Sequence, residues 1–173
     1  ARSCRVGLPG GSGGLWGHPL DPAPGPLPAH FSKEMWSLWQ GPAAHWDGNA
    51  FIPGIHEPMA WRWNRRYGNG MIADFAPHEV DTMHWAMGFE RTGPVAIANM
   101  TAGAFQPNRD VFTWAGAFEF DMEYATGFAA HVVSMRPGVP RGLLYECEEG
   151  TLGLYGSKIE IRDRNGKDIA RNV

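Results

Sequence analysis

Nine of the fourteen prolines fall before Trp61, and that distribution confines most regular structure to the remainder of the chain. The run Pro19, Pro22, Pro24, Pro26 and Pro28 fixes φ and removes backbone donors, so it belongs to neither a helix nor a central strand. Up to about residue 60 the chain therefore reads as a long Pro/Gly-rich loop. It carries Trp16, Trp36, Trp39 and Trp46, too many large apolar rings for a free linker, and is expected to pack on something. Within it only Phe31–Trp39 can form a short helix, capped by Ser32 ahead of Glu34 and Met35. Ahead of it, residues 3–8 alternate weakly and read as a short strand.

The clear helix lies within Met71–Gly88, where Phe75, Val80, Met83, His84 and Met87 recur at near-helical spacing and Gly88 is a natural stop. Pro77 fits only if regular helix begins near Ala76 or kinks there. From Pro94 onward the pattern is strand-like over Val95–Ala104, Phe112–Tyr124, Gly127–Met135, Gly142–Glu146, Leu152–Tyr155 and Lys158–Arg162. Ala125-Thr126-Gly127 suits a hairpin turn. Asn165-Gly166 is the strongest two-residue hairpin signal, since both positions tolerate positive φ, with Asp168–Val173 as the returning strand. The expectation is an α+β fold in one domain, residues 1–173, with a mainly antiparallel sheet and a helix on one face. Phe112, Trp114, Phe118, Phe120 and Met122 alternate. If the helix covers the other face, they form an exposed apolar surface for a homo-oligomer.

A composition of 43% hydrophobic and 19% charged residues is that of a globular domain. The net charge is −3, with no basic footprint for nucleic acid and no apolar run of membrane length. Cys4 and Cys147 have no metal spacing and read as free buried thiols, with a disulfide left open. No apolar leader is visible, and compartment stays open between cytoplasm and export. Eight tryptophans fill a core or line a pocket for sugar rings.

Several motifs fail on context. Gly10-Gly11-Ser12-Gly13-Gly14 fits the nucleophile-elbow pattern, but Trp16-Gly17-His18-Pro19 is not the helix that an elbow needs. There is no dinucleotide fingerprint and no Walker loop. His78-Glu79 lacks the second histidine of a zincin, because Thr82 stands there. Asp74, His78, Asp81 and His84 could share a cation only in part, so no metal is assigned.

Asp74, His78, Asp81 and Trp85 are spaced to project from one helical face. A carboxylate one turn from an imidazole can orient the ring and fix its tautomer, as a general acid/base requires. On spacing alone, Asp74 could equally cap the helix while His78 satisfies a core hydrogen bond.

The pattern Gly70, Asp74, His78, Asp81 and Trp85 resembles the signature of the Gfo/Idh/MocA oxidoreductase family. Flanking segments are similar too: Leu38-Trp39-Gln40-Gly41-Pro42-Ala43, Trp61-Arg62-Trp63 ahead of Tyr67-Gly68, and Glu149-Gly150-Thr151-Leu152, with Glu148 or Glu149 where the family often has Gly or Thr. The resemblance covers roughly residues 3–165. It implies a substrate-binding and oligomerisation domain that follows an NAD(P)-binding Rossmann domain. That half and its Glu-Lys-Pro motif are not in this sequence, which reads as a fragment of the parent enzyme, so no cofactor is expected on this chain alone. By the resemblance, His78 is the acid/base, Asp74 orients it, and Arg62, Trp63, Tyr67 and Asp81 contact a sugar or polyol. Some relatives cleave glycosides or epimerise. The alternative is a non-catalytic carbohydrate-binding or oligomerisation domain.

Overall fold

The computed structural model describes residues 1–9, 25–42, 61–64, 67–103, 117–134 and 138–171. The serine of the rejected elbow, Trp16, Trp46, Phe112 and Trp114 lie outside the described residues. The chain forms two compact units: residues 1–10, 75–103 and 116–173 in the first, and 11–74 with 104–115 in the second.

The first unit is built on one eight-stranded sheet. Its strands are β1 (Ser3–Leu8), β2 (Ala96–Ala102), β3 (Phe118–Glu123), β4 (Ala129–Ser134), β5 (Gly142–Glu146), β6 (Gly150–Tyr155), β7 (Lys158–Asp163) and β8 (Asp168–Arg171). They run in the order β2-β3-β4-β1-β5-β6-β7-β8. Every neighbouring pair is antiparallel except β1 and β4, because β1 is inserted from far upstream between two strands of the hairpin series. The register aligns one apolar row across the sheet, Phe120–Val132–Val6–Leu143–Leu154–Ile159. Val6, Val132 and Leu143 are at most 1% exposed, so this face is the core. Each such side chain stabilises the fold by about 1.5–3 kcal/mol on burial.

That row corrects the expected apolar surface. Phe118 and Met122 are both buried, and Phe120 lies in the row whose Leu143 and Leu154 face the helix. The β3 alternation thus serves the chain's own core. On the opposite face, Asn99 and His131 both bind the Asp121 carboxylate at 2.7 Å and hold it below the usual carboxylate range.

The main helix, α2 (Gly70–Met87), crosses the boundary between the units and contains Pro77 well inside it. It does not begin near Ala76; the proline leaves the Ala73 carbonyl without its usual donor, but the helix continues through it. Gly88, at φ +70°, ends it, and Phe89 N donates to His84 O across the terminus. In the second unit, α1 (Lys33–Gln40) has the expected cap, with Ser32 Oγ accepting from Met35 N at 3.2 Å.

The final hairpin forms with a different turn from the one anticipated. Gly166 has positive φ but Asn165 does not. The loop is instead closed by Gly166 N to Asp163 O at 3.0 Å, and Asp163 Oδ1 accepts from the backbone of Asn165 and Lys167. In this short hairpin connection one glycine suffices.

Candidate active-site cleft

In the first unit, α2 buries Met83 completely and leaves His78, Asp81 and Trp85 exposed. Their spacing puts these three on one side of the helix. The Thr82 hydroxyl donates to the His78 carbonyl at 2.8 Å, tying that turn internally. The His78 ring meets Phe75 edge-on at 5.9 Å. Beside it opens a cleft of about 640 Å³, whose polar wall includes His78, Glu79, Thr82, Arg141 and Ser157 over a floor of Leu143 and Leu154. Sheet and helix create it together: the apolar row ends under the His78 turn, and the β6–β7 turn supplies the far rim.

Across this cleft, Arg141 Nε donates to Glu79 Oε1 at 2.8 Å. The guanidinium carbon lies 4.5 Å above the Phe75 ring. Sequence reading missed both residues of this pair. Glu79 was legible only as half of a failed zincin pattern, and Arg141, between Pro140 and Gly142, carries no spacing signal.

His84 has a different setting. Its Nε2 lies 2.6 Å from the Tyr124 hydroxyl, and Phe89 stacks on Tyr124 at 4.8 Å. Burial pushes the Tyr124 phenol up to about 12, so it stays protonated and shares a hydrogen bond with His84 Nε2. His84 is thereby a structural member of an aromatic cluster.

In the second unit, the 3-10 turn Trp61–Trp63 brings Arg62 to Asp74: Nε and Oδ2 are 2.7 Å apart, with side chains 12% and 26% exposed. The N–H is not directed along that line, so the contact is an ion pair rather than an aligned hydrogen bond. Arg62 also lies 5.3 Å from the Trp61 ring centroid. Asn64, 1% exposed, accepts from Tyr67 N and Gly68 N and closes the turn that leads to α2. Tyr67 is half-buried. Of the residues named from sequence, Arg62 and Asp74 are thus brought together, while His78 and Asp81 lie on the α2 surface of the other unit.

Among the described residues, no group of three or more His, Cys, Asp and Glu side chains is arranged to hold a metal ion. No described helix is long and apolar enough to cross a membrane. A dinucleotide cradle requires a glycine turn that leads from a strand end into a helix N-terminus. Neither described helix supplies one, since α1 is capped by Ser32 with Glu34 in its first turn, and α2, although Gly68 and Gly70 lead into it, is preceded by the 3-10 turn Trp61–Trp63 rather than a strand. These residues do not fit a nicotinamide dinucleotide. Cys147 is exposed, which corrects the expectation of two buried thiols, whereas Cys4 is buried, and both are free.

A search of curated proteins returned no match to this sequence. The family model described as GFO/IDH/MocA C-terminal domain matches residues 41–160, and this span contains Arg62, Asp74, His78, Asp81 and Arg141. With most of its length covered by that model and its mostly antiparallel sheet in place, the chain belongs to the Gfo/Idh/MocA family as a C-terminal domain.

Proposed function

We propose that this domain is the substrate-binding half of an NAD(P)-dependent oxidoreductase acting on a sugar, polyol or related carbohydrate. Full enzymes of the family are generally NAD(P)-dependent; the cofactor carries the redox chemistry, and this chain supplies position and proton transfer. His78 is the general acid/base, exchanging a proton with the substrate hydroxyl that is oxidised or re-formed. The observation that carries this reading is the exposed His78 imidazole on the wall of a cleft large enough for a small molecule. Asp74, one turn earlier on α2, is proposed to orient that chemistry, and Arg62, Trp63, Tyr67 and Asp81 to contact the polyol. Association of copies through the sheet belongs to the same proposal and is checked by light scattering. The functional test joins the domain to a family Rossmann domain and follows nicotinamide reduction with a panel of sugars and polyols. Turnover of at least one supports the assignment, and a folded enzyme that turns over none contradicts it.

A further inference from the structure

We propose that the cleft beside His78 contains an oxyanion subsite, in which Arg141 receives the carboxylate or phosphate of an acidic sugar. This rests on reading the cleft as the carbohydrate site. Arg141 is fixed on two sides, by Glu79 at Nε and by the Phe75 ring beneath the guanidinium. A guanidinium can bind a carboxylate through two parallel bonds. Here one bond is made, and among the described residues the terminal nitrogens of Arg141 have no other hydrogen-bond partner. Exposure is equally uneven: Glu79 is 14% exposed and Arg141 48%. The Arg141 pair has its anion held inside and its cation, always charged, on the wall of the cleft.

The hydroxyls of Thr82 and Ser157 share that wall and can meet sugar hydroxyls. The Phe75 ring lies 4.5 Å from the guanidinium and 5.9 Å from the His78 ring, which keeps these two groups within about 10 Å. An acidic six-carbon sugar, with a hydrogen bond at each end, covers that span. Its anion docks on Arg141 while a hydroxyl reaches His78.

The test titrates the 173-residue chain with glucose, glucuronate and glucose 6-phosphate at low ionic strength, following the arginine Nε–H resonances by NMR. At least one anionic sugar should bind about tenfold or more tightly than glucose, as expected for a charge-assisted fork. The tighter anion identifies carboxylate or phosphate as the source. Arg141→Gln should erase the preference. Glu79→Gln, which keeps an acceptor for Nε but removes the competing charge, should enlarge it. The readout is binding without turnover, so a failure of the acid/base reading would not imitate a failure of this one. Equal binding of glucose and both anions, no binding by any of the three, or a preference that survives Arg141→Gln overturns the proposal. So does a preference that Glu79→Gln leaves unchanged or reduces.

Discussion

Asp74 Oδ2 stands 2.7 Å from Arg62 Nε, so the acidic residue expected to serve His78 also neutralises a largely buried guanidinium. Removing either partner leaves the other charge poorly solvated. Asp74→Asn and Arg62→Gln should each lower stability by about 1–2 kcal/mol. The double variant should lose less than the sum of the two. Urea denaturation of the four proteins checks this, and strict additivity would show that the pair is not coupled.

Gly150 opens β6 at φ +147°, and a Cβ there would overlap the Arg162 carbonyl oxygen of β7. That oxygen is backbone and cannot swing aside. Gly150→Ala should therefore destabilise the domain by more than about 2 kcal/mol in thermal or urea unfolding. A near-neutral result would mean that β6 and β7 do not pair as closely as described.

The Tyr145 hydroxyl is buried and has no hydrogen-bond partner among the described residues. Losing a group already desolvated and unpaired removes a cost rather than a contact. Tyr145→Phe should leave the melting temperature unchanged or raise it. A marked fall would reveal a partner for the hydroxyl.

Burial raises the Cys4 thiol from 9.0 to about 12 and the Tyr124 phenol from 10.0 to about 12. Both groups are neutral in the folded state and ionise more easily when unfolded. Their contribution is therefore complete below pH 9 and is lost as pH rises from about 9 to 12. Urea midpoints across that range should fall, and Cys4→Val should flatten the early part of the decline. In native protein at pH 8 a thiol reagent should label Cys147 alone, with Cys4 reacting only after unfolding.

Strand spacing and the α2 periodicity were legible because alternation and turn chemistry are local signals; β5 (Gly142–Glu146) has the bounds that the sequence suggests. What covers a face is not local. The Phe118–Met122 alternation showed that one side is apolar, but only the cross-sheet register through Val132, Val6 and Leu143 puts that side under the helix. The unbroken course of α2 through Pro77 was hidden for a similar reason, since the proline penalty, about 3 kcal/mol, is local and the packing that offsets it is not. At the site, Asp74 and His78 could be read from helical spacing. Glu79 and Arg141 could not, because 62 residues separate them and only the fold joins them.

The acid/base role of His78 is tested most directly by turnover of the domain joined to a family Rossmann domain. His78→Ala should lower kcat by about 10²–10⁴-fold, the span for a lost acid/base. His84→Gln should turn over near normally, because His84 is engaged with Tyr124 in the aromatic cluster. Full activity in His78→Ala, with activity abolished in a folded His84→Gln, would contradict the account.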